Sequence, residues 1–140
     1  MLLLLDTHVW VWNVEGEARR IGRRARRLIA LAESRESVRI SPATVFEIAS
    51  LFTMGRLGLA RPLEQWFRNA IDSPGVRLVE LSVAIAIDAG SIPRTALADP
   101  VDRLLVATAR QLNATFLTRD AAILRYATTT RNVRARDAAA

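Results

Sequence analysis

Met1-Leu2-Leu3-Leu4-Leu5-Asp6 opens the chain, an apolar run closed by a carboxylate. A continuous run without polar alternation suits a parallel strand buried on both faces. A second run, Thr115-Phe116-Leu117-Thr118, ends two residues before Asp120. If the two are neighbouring parallel strands, Asp6 and Asp120 emerge at the same edge of one sheet. That is the edge at which open α/β folds bind their ligands.

The segments between these runs alternate between helix and strand patterns. Thr7 is read as the cap of a short helical turn carrying Val9, Trp10 and Val11. Residues 17–33 read as a helix with Ile21, Ala25, Leu28, Ile29 and Ala32 on its apolar face. Val38-Arg39-Ile40 reads as a strand. Ser41-Pro42 is a cap followed by a proline at the first helical position, opening a helix to Thr53 that Gly55 ends. A loop over 55–59 leads to a helix starting at Arg61 or Pro62, and Ser73-Pro74-Gly75 is a turn. Residues 76–81 form a strand and 83–89 a helix stopped by Gly90. Asp99-Pro100 opens a helix to Leu112, 121–126 is a short helix, and an edge strand is expected near Val133. Residues 137–140 are expected to fray. This alternation predicts an α/β fold, an α/β/α sandwich with a central, mainly parallel sheet, as a single domain over residues 1–140.

Composition narrows the function. The chain has 140 residues, 51% of them hydrophobic, enough for one packed core and against disorder. Without cysteine there is no disulfide framework, thiolate zinc site or cysteine nucleophile. No apolar stretch is long enough for a signal-peptide core or a bilayer span, so a cytoplasmic protein without membrane contact is expected. The net charge is +6, and all 20 basic residues are arginine. Arginine pairs bidentately with phosphate and stacks on bases, which suits a nucleic-acid partner; a GC-rich coding bias accounts for the same preference.

Against this basic background five acids fall at strand ends and helix starts: Asp6, Glu47, Asp99, Asp102 and Asp120. Each has a plain structural reading. Asp6 suits a turn, Asp99 and Asp120 suit helix caps, and Asp102 suits the first turn of a helix. Glu47 lies among Val45, Phe46, Ile48, Ala49, Leu51 and Phe52, where a solvated position is confined to a helix edge. Together they form a cluster that a parallel fold gathers at one place. Clustered carboxylates repel, and need a cation or raised pKa values. A carboxylate-and-water shell suits Mg²⁺ or Mn²⁺, which points to a metal-dependent hydrolase acting on a polyanion. Glu33, Glu36, Glu80 and Asp88 lack this placement and stay outside the site. The single His8 makes neither a zinc site nor a hydrolytic triad, and no nucleophile elbow or P-loop pattern occurs.

Four motifs carry a resemblance. Leu5-Asp6-Thr7-His8-Val9-Trp10, the run from Ser41 to Ala49 around Glu47, the run from Asp99 to Ala109, and Phe116-Leu117-Thr118-Arg119-Asp120 resemble, in order and spacing, the four motifs of PIN-domain ribonucleases. They are most like those of VapC toxins from toxin–antitoxin pairs. The resemblance implies a Mg²⁺- or Mn²⁺-dependent endoribonuclease that cuts tRNA or rRNA and inhibits translation. It implies metal ligation by Asp6, Glu47, Asp102 and Asp120, with Asp99 an alternative or additional ligand and Thr118 supporting the site through its hydroxyl. Ala98 stands where many relatives carry histidine. The family also implies a homodimer and a cognate antitoxin whose tail lies in a groove beside the site. Trp10, Trp12, Leu51, Phe52, Trp66 and Phe67 are candidates for that groove or for the core.

The run Arg19-Arg20-Ile21-Gly22-Arg23-Arg24-Ala25-Arg26-Arg27 is either an RNA-phosphate surface or a solvated helix face partly neutralised by Glu15, Glu17 and Glu33. Arg103 and Arg119 each adjoin a candidate ligand. Two other functions fit the same residues: a non-toxin RNA-processing or DNA nuclease, and a non-catalytic nucleic-acid-binding module. A small antitoxin gene immediately upstream distinguishes the toxin from both.

Overall fold

The computed structural model describes residues 1–140, the side chain of Ala18 excepted. Five strands, β1 (Leu3–Leu5), β2 (Val38–Ile40), β3 (Val76–Leu78), β4 (Thr115–Thr118) and β5 (Arg134–Asp137), form one sheet in the order β3-β2-β1-β4-β5. Every pairing is parallel. Seven α-helices connect or flank the strands: α1 (Thr7–Val14), α2 (Arg23–Ser34), α3 (Pro42–Thr53), α4 (Leu63–Ile71), α5 (Val83–Ser91), α6 (Pro100–Leu112) and α7 (Ala121–Thr130).

Alternation along the central strands divides the core in two. Leu3 and Leu5 of β1 and Leu117 of β4 pack with Trp10, Ile29, Ile48 and Trp66 on one face. Leu4 and Phe116 point the other way, onto Leu105, Val106, Ala109, Ile123 and Tyr126. Helices α1, α2 and α4 thus cover one face and α6 and α7 the other, as the sequence predicts for an α/β/α sandwich. Helix α5 packs on α6 through Ile85, Ala89 and Ala107. Arg110 of α6 ties three helices together: its guanidinium pairs with both Asp88 oxygens on α5 and donates to the Tyr126 hydroxyl on α7 at 3.3 Å. This pairing holds the Asp88 carboxyl below its ordinary range, through the Arg110 hydrogen bonds first.

Several local expectations are corrected. Asp6, not Thr7, caps α1, accepting the Thr7 backbone N–H at 2.8 Å. The 17–33 segment is not one helix: a short 3-10 turn, Ala18–Arg20, precedes α2, whose cap is the extended residue Gly22. β3 ends at Leu78 rather than 81, because its partner β2 ends at Ile40 and Ser41 turns the chain into α3. Gly90 does not stop α5, which continues to Ser91; Ile92 leaves the helix at ψ 123°, the conformation that the following Pro93 demands. α7 runs to Thr130, four residues beyond its predicted end, and Arg131 closes it in the left-handed region at φ 56°.

The end of the chain is docked, not frayed. Ala138 is fully buried; its N–H donates to the Thr118 carbonyl at 2.8 Å and its own carbonyl accepts the Gly22 N–H at 2.8 Å. The Ala140 carbonyl accepts the Ala25 N–H at 3.1 Å. Gly22 supplies no side-chain cap to α2. The free N–H groups of that first turn are satisfied in part by the backbone of the last residues instead.

Candidate active site

The pair β1–β4 is the topological switch of the sheet, and the candidate site lies just past its carboxyl edge. Leu5 is in register with Leu117, so the next residues, Asp6 and Thr118, stand side by side. The Asp6 N–H continues the ladder to the Leu117 carbonyl at 3.0 Å. Thr118 joins the two ends: its buried hydroxyl donates to Asp6 Oδ2 at 2.6 Å and accepts the Asp120 N–H at 3.0 Å.

Asp120 and Asp99 serve as caps. Asp120 Oδ1 accepts from the Ala122 and Ile123 N–H groups at 2.8 and 3.1 Å, and Asp99 Oδ1 accepts from Val101 N–H at 2.8 Å. Each therefore retains an oxygen not engaged in capping. Glu47 projects from the middle of α3 and Asp102 from the first turn of α6; both are half-buried. All five carboxylates line one cleft of about 240 Å³, together with His8, Val9, Trp12 and Arg119. Glu33, Glu36, Glu80 and Asp88 are not among its lining residues.

The cleft is electrostatically strained. Asp102 is pushed up to about 8, by burial first and then by repulsion from Asp99, Asp6, Asp120 and Glu47. Burial raises Asp6 as well, against the Thr118 hydroxyl and the Thr7 N–H, which favour its charged form. Burial also raises Glu47, opposed by the nearby Thr7 hydroxyl and reinforced by Asp6 and Asp99. Among the described residues, no ion pair involves any of these five carboxylates.

No three His, Cys, Asp or Glu groups are placed to hold one metal ion together, among the described residues. The donor set nevertheless suits Mg²⁺ or Mn²⁺: hard oxygens converging on a cleft with room for water. Mg²⁺ keeps several waters and is ordinarily held by only one or two protein carboxylates. Burial raises Asp102 first and repulsion from the other carboxylates adds to it; that repulsion is the charge imbalance such a cation offsets.

One polar contact at the site escapes the acid pattern. Thr7 and Thr44, both buried, are joined hydroxyl to hydroxyl at 3.2 Å between α1 and α3, tying the element after Asp6 to the helix bearing Glu47. The signals were adjacency to Asp6 and the three-residue spacing from Glu47. The aromatic candidates separate. Trp10 and Trp66 are core, 1% and 2% exposed, with rings edge-on at 5.2 Å. Trp12 lines the cleft, and Phe52 is partly exposed. In the arginine run, Arg20 pairs with Glu17, whereas Glu15 accepts the Ala60 N–H and Glu33 has no arginine ion pair among the described residues.

Residues 3–128 match the PIN domain family. Ribonuclease VapC22 of Mycobacterium tuberculosis is 30% identical over 118 residues, covering 84% of this chain and 86% of that protein. The fold is similar to that of VapBC2 from Rickettsia felis, crystallised on a promoter DNA fragment (TM-score 0.69, 15% identity, 98% of both chains). It is also similar to DNA-bound VapBC from Salmonella typhimurium (TM-score 0.65, 21% identity, 98% of both chains).

Proposed function

This chain belongs to the PIN-domain family, and on that premise we propose that it is a Mg²⁺- or Mn²⁺-dependent endoribonuclease, the toxin of a toxin–antitoxin pair. The observation that carries the reading is the convergence of five carboxylates without a basic ion-pair partner on one cleft of a chain with net charge +6. Asp6, Glu47, Asp102 and Asp120 are proposed to surround the ion, one or two of them as direct ligands and the others through its water shell. Asp99, already capping α6, supplies an additional oxygen. When bound, a divalent ion here makes water a stronger nucleophile and offsets charge on the phosphate and leaving oxygen.

The chain's own groups do the positioning. Thr118 fixes the Asp6 carboxylate through one hydrogen bond and the turn into Asp120 through another. Thr7–Thr44 sets the spacing of α1 and α3 beneath the cleft. One of the carboxylates accepts the proton of the attacking water. Ala98 brings no donor of its own, so positioning rests on the threonines.

The substrate class proposed is tRNA or rRNA, with loss of translation as the outcome and the cytoplasm as the place of action. No helix among the described residues is long and apolar enough to cross a membrane. The solved neighbours include VapBC assemblies and a toxin–antitoxin complex from Klebsiella pneumoniae, which supports a cognate antitoxin; Phe52 and Met54, exposed at the end of α3, suit its apolar contacts. A homodimer is supported by α5, whose Val83 and Ile87 are 76% and 68% exposed on a mostly apolar helix.

Asp6→Asn tests the metal site. The purified variant is expected to keep the circular dichroism spectrum of the parent and to lose Mg²⁺-dependent cleavage of total RNA. Undiminished cleavage by the folded variant overturns the site. Mapping cleavage ends after induced expression, with that variant as control, identifies the RNA. Preferential cutting of DNA by the parent favours the DNA-nuclease alternative.

A further inference from the structure

The acidic cleft has one arginine in its wall, and that arginine does not pair with the acids. Arg119 lies between Thr118, which holds Asp6, and Asp120. Among the described residues its guanidinium makes no carboxylate contact. Nη1 donates instead to the Arg20 carbonyl at 3.0 Å, and Cζ lies 5.4 Å from the centroid of the Trp12 ring. Arg20 approaches the same ring at 5.8 Å and is steadied by its pair with Glu17 at 2.8 Å. His8, one turn before Trp12 on α1, stands 5.9 Å from the indole. An indole and two guanidiniums are thus gathered beside a cleft lined mainly by carboxylates.

Held by stacking and by a carbonyl, the Arg119 charge is not spent on Asp6 or Asp120 and stays available to an anion. A phosphodiester approaching five carboxylates is repelled unless positive charge meets it at the rim. The ring adds a second requirement. A nucleobase stacks on an indole only when it is unstacked from its own neighbours. Trp10 and Trp66 are buried against each other, whereas Trp12 is only partly buried and lines the cleft.

We propose that Trp12, Arg20 and Arg119 form a subsite for single-stranded RNA beside the acidic cleft, the guanidiniums turning from the indole to the phosphate next to the one that is cut and the ring face they leave stacking on an unpaired base. The subsite rests on the ribonuclease reading and adds to it the residues that seat the nucleotide beside the cut. Arg23, Arg24, Arg26 and Arg27 extend the positive surface. They are exposed on α2, which begins at the same edge of the sheet, where Gly22 bonds the backbone of Ala138.

The test uses the full chain carrying Asp6→Asn, without Mg²⁺, so that RNA is bound and not cut. Fluorescence anisotropy of a short, unstructured, dye-labelled RNA oligonucleotide measures affinity, and the same RNA annealed to its complement provides the duplex arm. The single strand is expected to bind, and the duplex to bind at least about tenfold more weakly. Adding Trp12→Ala should weaken single-strand binding about tenfold, with Trp12→Phe in between. Adding Arg119→Gln should weaken it and reduce the salt slope by about 0.7. The side chain of Arg119 is on the surface, so that variant and Trp12→Phe carry the test if Trp12→Ala fails to fold. Parent-like affinity and salt slope in Trp12→Phe and Arg119→Gln, or equal binding of duplex, overturns the subsite while leaving the nuclease reading in place. If the Asp6→Asn protein binds no RNA and the wild type cuts none, the ribonuclease reading falls and the subsite with it.

Discussion

Thr118 is the residue on which the cleft's geometry turns, because one hydroxyl serves two carboxylate-bearing segments. It donates to Asp6 and accepts from the Asp120 N–H. Replacing it with valine keeps the volume but leaves the Asp120 N–H without this acceptor and Asp6 without its donor. We expect Thr118→Val to cost about 1–2 kcal/mol in stability and to lower kcat for RNA cleavage by roughly tenfold or more with little change in KM. Thr118→Ser should restore most of both, as read by thermal melts and steady-state kinetics. The valine should also raise the Asp6 carboxyl further, since its hydrogen bond to the charged form is lost. At this scale the sequence was legible in part. Asp6, Asp99, Asp102 and Asp120 are named by their positions at strand ends and helix starts, and Glu47 by its charge among apolar neighbours in mid-helix. Thr44 was not, because its three-residue spacing from Glu47 gains meaning only when its partner Thr7 is seen across the gap.

Elements show a second pattern: predictions held where a local rule governs and failed where a neighbour decides. Ser41-Pro42 and Asp99-Pro100 start α3 and α6 at the predicted residues, because cap and proline act within a few positions. The start of α2 is different. Gly22 reads as a weak point inside an arginine-rich helix, yet it marks the helix start because Ala138 and Ala140 reach it from the other end of the chain. A Cβ at this position would run into the backbone of Ala139 and Ala140. Gly22→Ala is therefore expected to destabilise the protein by about 1–3 kcal/mol, although alanine is the better helix former. A chemical denaturation curve measures this; a variant as stable as the parent would show that the tail is not docked in solution.

Across the whole molecule, charge and fold are in opposition. The sheet brings five acids together, and without a cation that proximity costs stability. The Asp102 carboxyl has an ordinary value of 3.8 and sits at about 8 in the folded protein. The folded state then binds more protons than the unfolded state between these values, so metal-free stability falls as pH rises through that window and levels off above it. Asp6 and Glu47 are raised too and act in the same direction. Asp102→Asn should flatten the profile and raise the stability of the metal-free protein at pH 9 by on the order of 1–2 kcal/mol, reduced by solvent screening of a half-exposed group. Mg²⁺ should raise the melting temperature more at pH 9 than at pH 5, and a pH-independent melting curve in EDTA would contradict this account. The sequence by itself determined the alternation of strands and helices, the parallel sheet and the identity of the acids. Apolar runs, caps and prolines act over a few residues and carry their meaning locally. Only the tertiary structure decided the rest: the register of Leu5 with Leu117 that sets Asp6 beside Thr118, the docking of the last residues on α2, and the turning of Arg119 away from the acids toward Trp12. Each joins residues roughly a hundred positions apart, and such contacts exist only once packing has chosen which faces meet.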